Sequence, residues 1–202
     1  MPPEATSPLL ALRRLEQKRN KEAVLLAERA AEAAPQSADL QALLGRTYGA
    51  RIGELAFLQQ GMVAPKMRRA FERAVELDPN HVTGLVGLAS FFLNSPEIAG
   101  GSLERAEEFA LRVEKLDVFN GALLRARIRE RQERWLDAAG CYRAALVAQP
   151  QNPWLHTQLG GALAKAGQRT EAKAAFEAAL GISADFAPAR EGLRAMDGAV
   201  AN

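Results

Sequence analysis

The side chains best able to do chemistry are few in this 202-residue chain, and they are widely separated. His81 and His156 are the only histidines, and they fall in different segments without the spacing of metal ligands or of an acid–base pair. Cys141, the single cysteine, lies between Gly140 and Tyr142. A thiolate-pair metal site and an intrachain disulfide are both excluded. Without a base nearby, Cys141 is expected to be a small packed thiol rather than a nucleophile. Gly100-Gly101-Ser102 precedes a helical pattern and could cradle a phosphate on backbone N–H groups, but it lacks the further glycine and the lysine of a P-loop. The simpler reading is a turn opened by Ser95-Pro96, with left-handed backbone at the glycines and Ser102 capping the next helix. No GxSxG, HExxH or GxGxxG constellation occurs. The expectation is a chain with no catalytic residues, no metal and no cofactor.

One charge pattern stands out. In Leu124-Arg-Ala-Arg-Ile-Arg-Glu-Arg-Gln-Glu-Arg134, the residues Arg127, Arg131 and Arg134 form one stripe, with Glu130 and Glu133 beside them. It reads either as a solvated face with local ion pairs or as cationic points for an acidic partner. The whole chain balances 26 basic against 24 acidic residues, so neither nucleic acid nor an anionic membrane is an expected partner. The longest apolar runs, such as Phe91-Phe92-Leu93, are far short of the roughly 20 residues of a spanning helix. The opening MPPEATSPLLALRRLEQKRN has no basic region followed by an apolar one. The chain as given therefore reads as cytoplasmic, although a leader removed before residue 1 would leave no trace.

What positions these residues is a repeat. EAVLLAERAAEAAP, MRRAFERAVELDP and DAAGCYRAALVAQP align on their final prolines, and RAEEFALRVEKLDV and EAKAAFEAALGISA align with them. Each carries a residue twelve, eight and five before its end. The first set is Ala23, Met67, Ala106, Ala138 and Ala172; the second Ala27, Phe71, Ala110, Tyr142 and Phe176; the third Ala30, Ala74, Val113, Ala145 and Ala179. Spacings of four and three put each trio on one helical face. Small members let a neighbouring helix approach, and the aromatic members fill the space between successive pairs. A partner helix precedes each, with Leu44-Gly45 and Tyr48, Leu88-Ala89 and Phe92, or Leu159-Gly160 and Leu163 at its crossing point. Asp78-Pro79-Asn80 and Asn152-Pro153 supply turn and N-cap residues between units.

From Ala27 through Phe71, Ala110 and Tyr142 to Phe176 the intervals are 44, 39, 32 and 34 residues. The pattern of Leu159, Gly160, Ala172, Phe176 and Ala179 resembles the tetratricopeptide repeat, whose length is about 34. Tyr48, Ala23, Ala138, Tyr142 and Pro150 match it elsewhere. The resemblance implies an all-α, right-handed α-solenoid of about five helix-turn-helix units over residues 4–186. The approximate units are 4–37, 38–81, 82–118, 119–152 and 153–186. A capping helix follows at 187–197 and a flexible tail at 198–202. The run from Met62 to Asp117 looks like a group of small bacterial tetratricopeptide proteins with the same two insertions. That group typically carries export leaders and mostly has no assigned activity, which raises a periplasmic alternative.

The long first interval, from Ala27 to Phe71, holds GELAFLQQGMVAP, close to three extra helical turns shared by both helices. Its Leu55, Phe57, Leu58 and Met62 either cover the neighbouring repeat or form an exposed apolar contact. Repeat geometry also implies a concave groove lined by first helices. Its candidate residues are Arg46 in the second unit; Val86, Ser90, Leu93 and Asn94 in the third; Arg127 and Arg131 in the fourth; and Trp154, Thr157 and Lys165 in the fifth. The lysine–asparagine carboxylate clamp of some tetratricopeptide co-chaperones is absent, since Ala42, Arg46, Gly87, Ser90, Thr157 and Gly161 stand there.

These features point to a non-catalytic module holding a peptide or protein segment in the groove, as a monomer or weak homo-oligomer. The alternative is a structural protein of a bacterial envelope or multiprotein complex, docking through the insertion in the second repeat. Exposed Trp154, Leu93 and Val86 would favour the first; exposed Phe57, Leu58 and Met62 the second.

Overall fold

A computed structural model describes residues 7–198. Those residues form eleven α-helices: α1 (Pro8–Glu16), α2 (Asn20–Ala33), α3 (Ala38–Ile52), α4 (Phe57–Leu77), α5 (Val82–Asn94), α6 (Leu103–Leu116), α7 (Val118–Arg131), α8 (Trp135–Ala148), α9 (Pro153–Lys165), α10 (Arg169–Ile182) and α11 (Ala187–Gly198). A single 3₁₀ turn, Glu97–Ala99, lies between α5 and α6. The chain divides into two compact units, Met1–Phe109 and Ala110–Asn202, with the boundary inside α6. Residues 187–197, read as a capping helix, fall within α11. Gly198 ends that helix, whereas the rest of the expected tail, and residues 4–6 of the first unit, lie outside the described residues.

Most first helices start on a side-chain cap. Ser7 and Ser37 accept from Leu10 N and Leu40 N, Asp117 from Asn120 N, and Asn152 Oδ1 from Trp154 N and Leu155 N. These contacts satisfy amides that the helix itself leaves without partners. The cap of α5 differs from expectation. Asp78 Oδ1 accepts from Asn80 N within the turn, and the capping acceptor is His81 Nδ1, 3.1 Å from Gly84 N. The other ring nitrogen therefore carries the proton and donates to Asp39 Oδ1 at 3.1 Å.

Second helices start differently. After α1, α7 and α9 the backbone turns left-handed at Lys18 (φ 56°), Glu133 (φ 57°) and Gly167 (φ 78°). The next amide then reaches back five residues: Arg19 N to Arg14 O, Arg134 N to Arg129 O, and Gln168 N to Leu163 O. This is the Schellman termination, three times over. Only Gly167 meets it without a Cβ penalty.

The insertion in the second repeat enlarges α4 far more than α3. The two helices have 21 and 15 residues, against 13 or 14 in α5 to α10, so the extra turns sit at the amino end of α4. The expected lengthening of both helices falls almost wholly on α4, because Gly53–Ala56 break the chain just after α3.

Between helices, the alanine and aromatic sets form the core. Ala23, Ala27, Ala74, Ala138, Ala145, Ala172 and Ala179 are fully or almost fully buried, as are Phe71, Tyr142 and Phe176. In the first unit the Phe71 ring lies between two glycines: a Cβ at Gly45 of α3 would stand 2.6 Å from it, and one at Gly87 of α5 2.4 Å. In the second unit Phe176 is held in the same way, 2.9 Å from a Cβ at Gly160 of α9 and 2.4 Å from one at Gly192 of α11. No real Cβ fits at such distances, so the ring sets how far apart consecutive first helices lie.

Two stability outcomes follow. Gly87→Ala gains about 1 kcal/mol of helix propensity, but it drives Phe71 towards Gly45, where there is no room, and overpacking costs about 1–3 kcal/mol. Urea denaturation should show a net loss; a net gain would mean the ring is not confined. Glu133→Gly relieves the left-handed strain and should raise stability by about 0.5–1 kcal/mol, with an unchanged or lower melting temperature as the contrary result.

Candidate functional site

The first unit contains a cleft of about 600 Å³. Its floor is Phe71 with the flanking Gly45 and Gly87. One wall is the exposed face of α3, with Arg46, Gly49 and Ile52; the opposite wall is α5, with Ser90, Phe91 and Asn94. The extra turns of α4 add Phe57, Leu58, Gly61 and Ala64, and the segment Ser95–Ala99 closes the far rim. A cleft of this size, mostly apolar with a few polar groups, is typical of ligand sites.

Each wall is held from behind. The start of α4 has no side-chain cap, but Gln59 N and Gln60 N donate to Ala56 O and the Gln60 amide to Leu55 O. Phe91 packs edge-on against Phe92 at 5.4 Å, and Phe92 stacks on Phe109 with the Arg105 guanidinium 3.9 Å from its centroid. The rim turn is locked by Gly100 (φ 88°) and by Gly101, where a Cβ would stand 1.9 Å from Ser95 O. That packing also disposes of the phosphate cradle. The amides of Gly100, Gly101 and Ser102 donate to Glu97 O, Pro96 O and Phe92 O, and Ser102 Oγ caps α6 through Arg105 N.

Two groups of residues singled out for different reasons meet in this cleft. Arg46, Ser90 and Asn94, chosen as groove positions, share it with Phe57 and Leu58, chosen as insertion contacts. Phe57 is 80% exposed and Leu58 85%, so they do not cover the neighbouring repeat; Met62, at 67%, does not either. Met62 and the half-buried Leu55 instead border a smaller hollow beside Leu25 and Tyr48. Arg46 is the only ionisable residue lining the cleft, and no carboxylate pairs with it among the described residues. Asn94 donates to Ser90 O at 2.6 Å.

Other groove assignments need correction. Leu93 is 2% exposed, because α5 is apolar on nearly every side and this residue faces the interior. Thr157 is 7% exposed, its hydroxyl donating to Pro153 O one turn back, which lets the polar group be buried. Val86 is half-buried.

In the second unit Trp154 is 42% exposed at the start of α9, and Lys165 places its ammonium 4.3 Å from the Trp135 ring centroid. Arg131 is exposed at the end of α7. Arg127 is exposed too, but its charge acts on the nearby Tyr142. Arg134 does not continue the stripe; it precedes α8 and binds Asp137 at 2.6 Å. His156 Nε2 lies 2.9 Å from Pro150 O, and Cys141 packs half-buried on the core. No group of three or more metal-type side chains occurs among the described residues, and no described helix is long and apolar enough to cross a membrane.

The first helices also lean on two phenol–carboxylate pairs, Tyr48 to Glu28 at 2.6 Å and Tyr142 to Glu130 at 3.1 Å. Burial, then Glu130, push the Tyr142 phenol well above its ordinary range; burial and then Glu28 do the same for Tyr48.

No protein-family model and no curated protein matches the sequence. Solved structures do match in shape. TTC0263, a thermophilic TPR protein in Thermus thermophilus, superposes with a TM-score of 0.72 at 20% identity, over 94% of this chain and 96% of that one. MamA from Desulfovibrio magneticus RS-1 gives 0.66 at 14%, over 88% and 93%. YrrB, described as a TPR protein with an unusual peptide-binding site, gives 0.62 at 13%, over 91% and 88%. The fold is therefore the all-α tetratricopeptide solenoid.

A phenol whose proton is held in the folded state stabilises fully below the unfolded pKa of about 10. That contribution is lost as pH rises from there through the higher folded value. Tyr142→Phe should therefore cost about 1–3 kcal/mol at neutral pH, and its deficit against wild type should shrink in alkaline solution. Denaturation midpoints across a pH series check this; a deficit independent of pH contradicts it.

Proposed function

We propose that this tetratricopeptide-fold chain is a non-catalytic interaction module that holds a peptide or protein segment. The observation that carries the reading is the cleft between α3, α4 and α5. It is a preformed apolar recess beside a rigid aromatic floor, with hydrogen-bonding groups and one cation at its edge, and peptide recognition by helical repeats uses such anchoring pockets. The fold supports the reading without choosing the partner, since a fold of this kind serves many roles. YrrB, a neighbour of low sequence identity, has a peptide-binding site by its description.

The exposure of Phe57, Leu58 and Met62 is the observation that favours the alternative, docking into a larger assembly through the insertion. Phe57 and Leu58 open into the cleft, however, so their exposure serves segment binding equally. Only Met62, on the flank beside Leu25, speaks for docking alone. In the second unit Arg131, Trp154 and Lys165 offer a separate exposed basic and aromatic surface.

Panning a random peptide display library against the full chain tests the function. Enrichment of related sequences that lose binding to Phe57→Ser/Leu58→Ser is expected. Failure to enrich any sequence, or enrichment indifferent to that double variant, would remove the cleft from the function.

A further inference from the structure

The cleft has a particular chemical asymmetry. Its lining is mostly apolar on the α4 side, where Phe57 and Leu58 stand near Gln60, and its one formal charge, Arg46, is on the α3 wall without an ion pair among the described residues. Arg46 is exposed at the edge of the cleft, where its guanidinium can meet a carboxylate in a charge-assisted hydrogen bond.

Two features of α4 bear on what enters. Gly61 lies inside the helix, where glycine is about 1 kcal/mol worse than alanine. Unlike Gly45 and Gly87, which Phe71 explains, it has no neighbour within 4 Å of where a Cβ would be. The missing side chain keeps this wall of the cleft open. Pro65 follows four residues later within α4 and has no N–H, so Gly61 C=O lacks its usual helical donor. An acceptor of this kind suits the backbone N–H of a bound peptide, which an acyl chain does not possess.

Resting on the peptide-binding reading above, we propose that the cleft selects a segment in which a bulky apolar side chain adjoins a carboxylate. The apolar group enters between Phe57, Leu58 and Phe91, and the carboxylate pairs with Arg46. The α5 wall and the rim are held by the Phe91–Phe92–Phe109 packing and the locked Ser95–Ala99 turn, so little ordering of that side is required on binding.

The test uses fluorescence anisotropy of the full chain with a dye-labelled, amide-ended peptide, Ser-Gly-Trp-Glu-Gly-Ser, and its counterpart with Gln in place of Glu. Wild type should bind the Glu peptide about three- to fivefold more tightly, and Arg46→Gln should abolish that preference. Gly61→Leu should remove binding of both peptides while its melting temperature stays equal or rises, which separates a filled cleft from a damaged fold. Equal binding of the two peptides by wild type, a preference that survives Arg46→Gln, or full binding by Gly61→Leu each overturn the proposal. Library peptides that need Phe57 and Leu58 but carry no acidic residue overturn it while leaving segment binding intact. No cleft-dependent peptide at all overturns both. A dimer that Gly61→Leu dissolves would give the cleft to a second copy, and Phe57-dependent binding to phosphatidylcholine vesicles without peptide binding would give it to lipid; either result also overturns it.

Discussion

An aromatic ring confined between two glycines determines the spacing of the helix pairs. Phe71 separates α3 from α5, and Phe176 separates α9 from α11, each at the distance a six-membered ring imposes once both facing Cβ atoms are removed. A smaller residue would leave a void and a larger neighbour would force the ring out, so the packing has little freedom in either direction. The alanines at the flanking positions complete the contact by letting the second helices approach closely. Around this spacing the helix ends repeat the same solutions, a side-chain cap entering the first helix and, in three pairs, a Schellman turn entering the second.

The cleft is a by-product of that spacing joined to a local lengthening. Phe71 holds α3 and α5 apart and becomes the floor, while the added turns of α4 supply an apolar side that other second helices are too short to provide. Removing side chains at Gly45, Gly49, Gly61 and Gly87 makes room, although only at the positions facing Phe71 does packing require it. Rigidity comes from the aromatic cluster behind α5 and from the locked turn at its end. Such a site is preorganised, so its selectivity depends on what its walls can and cannot satisfy.

The repeat is readable because small and aromatic residues recur at four- and three-residue steps, and that periodicity is a direct consequence of one buried helical face. The side of a first helix is less readable. The same counting assigns Leu93 and Arg46 to the groove, yet α5 is apolar nearly all round, so periodicity does not say which of its faces meets solvent. Thr157 is assigned by polarity, which misleads where a hydroxyl is satisfied within its own helix. Arg134 joins the arginine stripe only if the helix is extended past the point where Gln132 and Glu133 turn the chain. Gly61 carries a subtler signal, as a glycine inside a helical pattern with no turn to justify it.

Local chemistry along the chain is thus enough for the helices, most of their caps and the identity of the buried aromatic positions, because these depend on residues within a turn or two of each other. The meeting of Arg46, Ser90 and Asn94 with Phe57 and Leu58 is decided only by tertiary packing. Those residues come from three helices, and their convergence depends on where the inserted turns are placed. Ten extra residues are compatible with lengthening α3, α4 or both, and the break at Gly53–Ala56 puts them on α4. With that choice the insertion becomes a wall of the cleft.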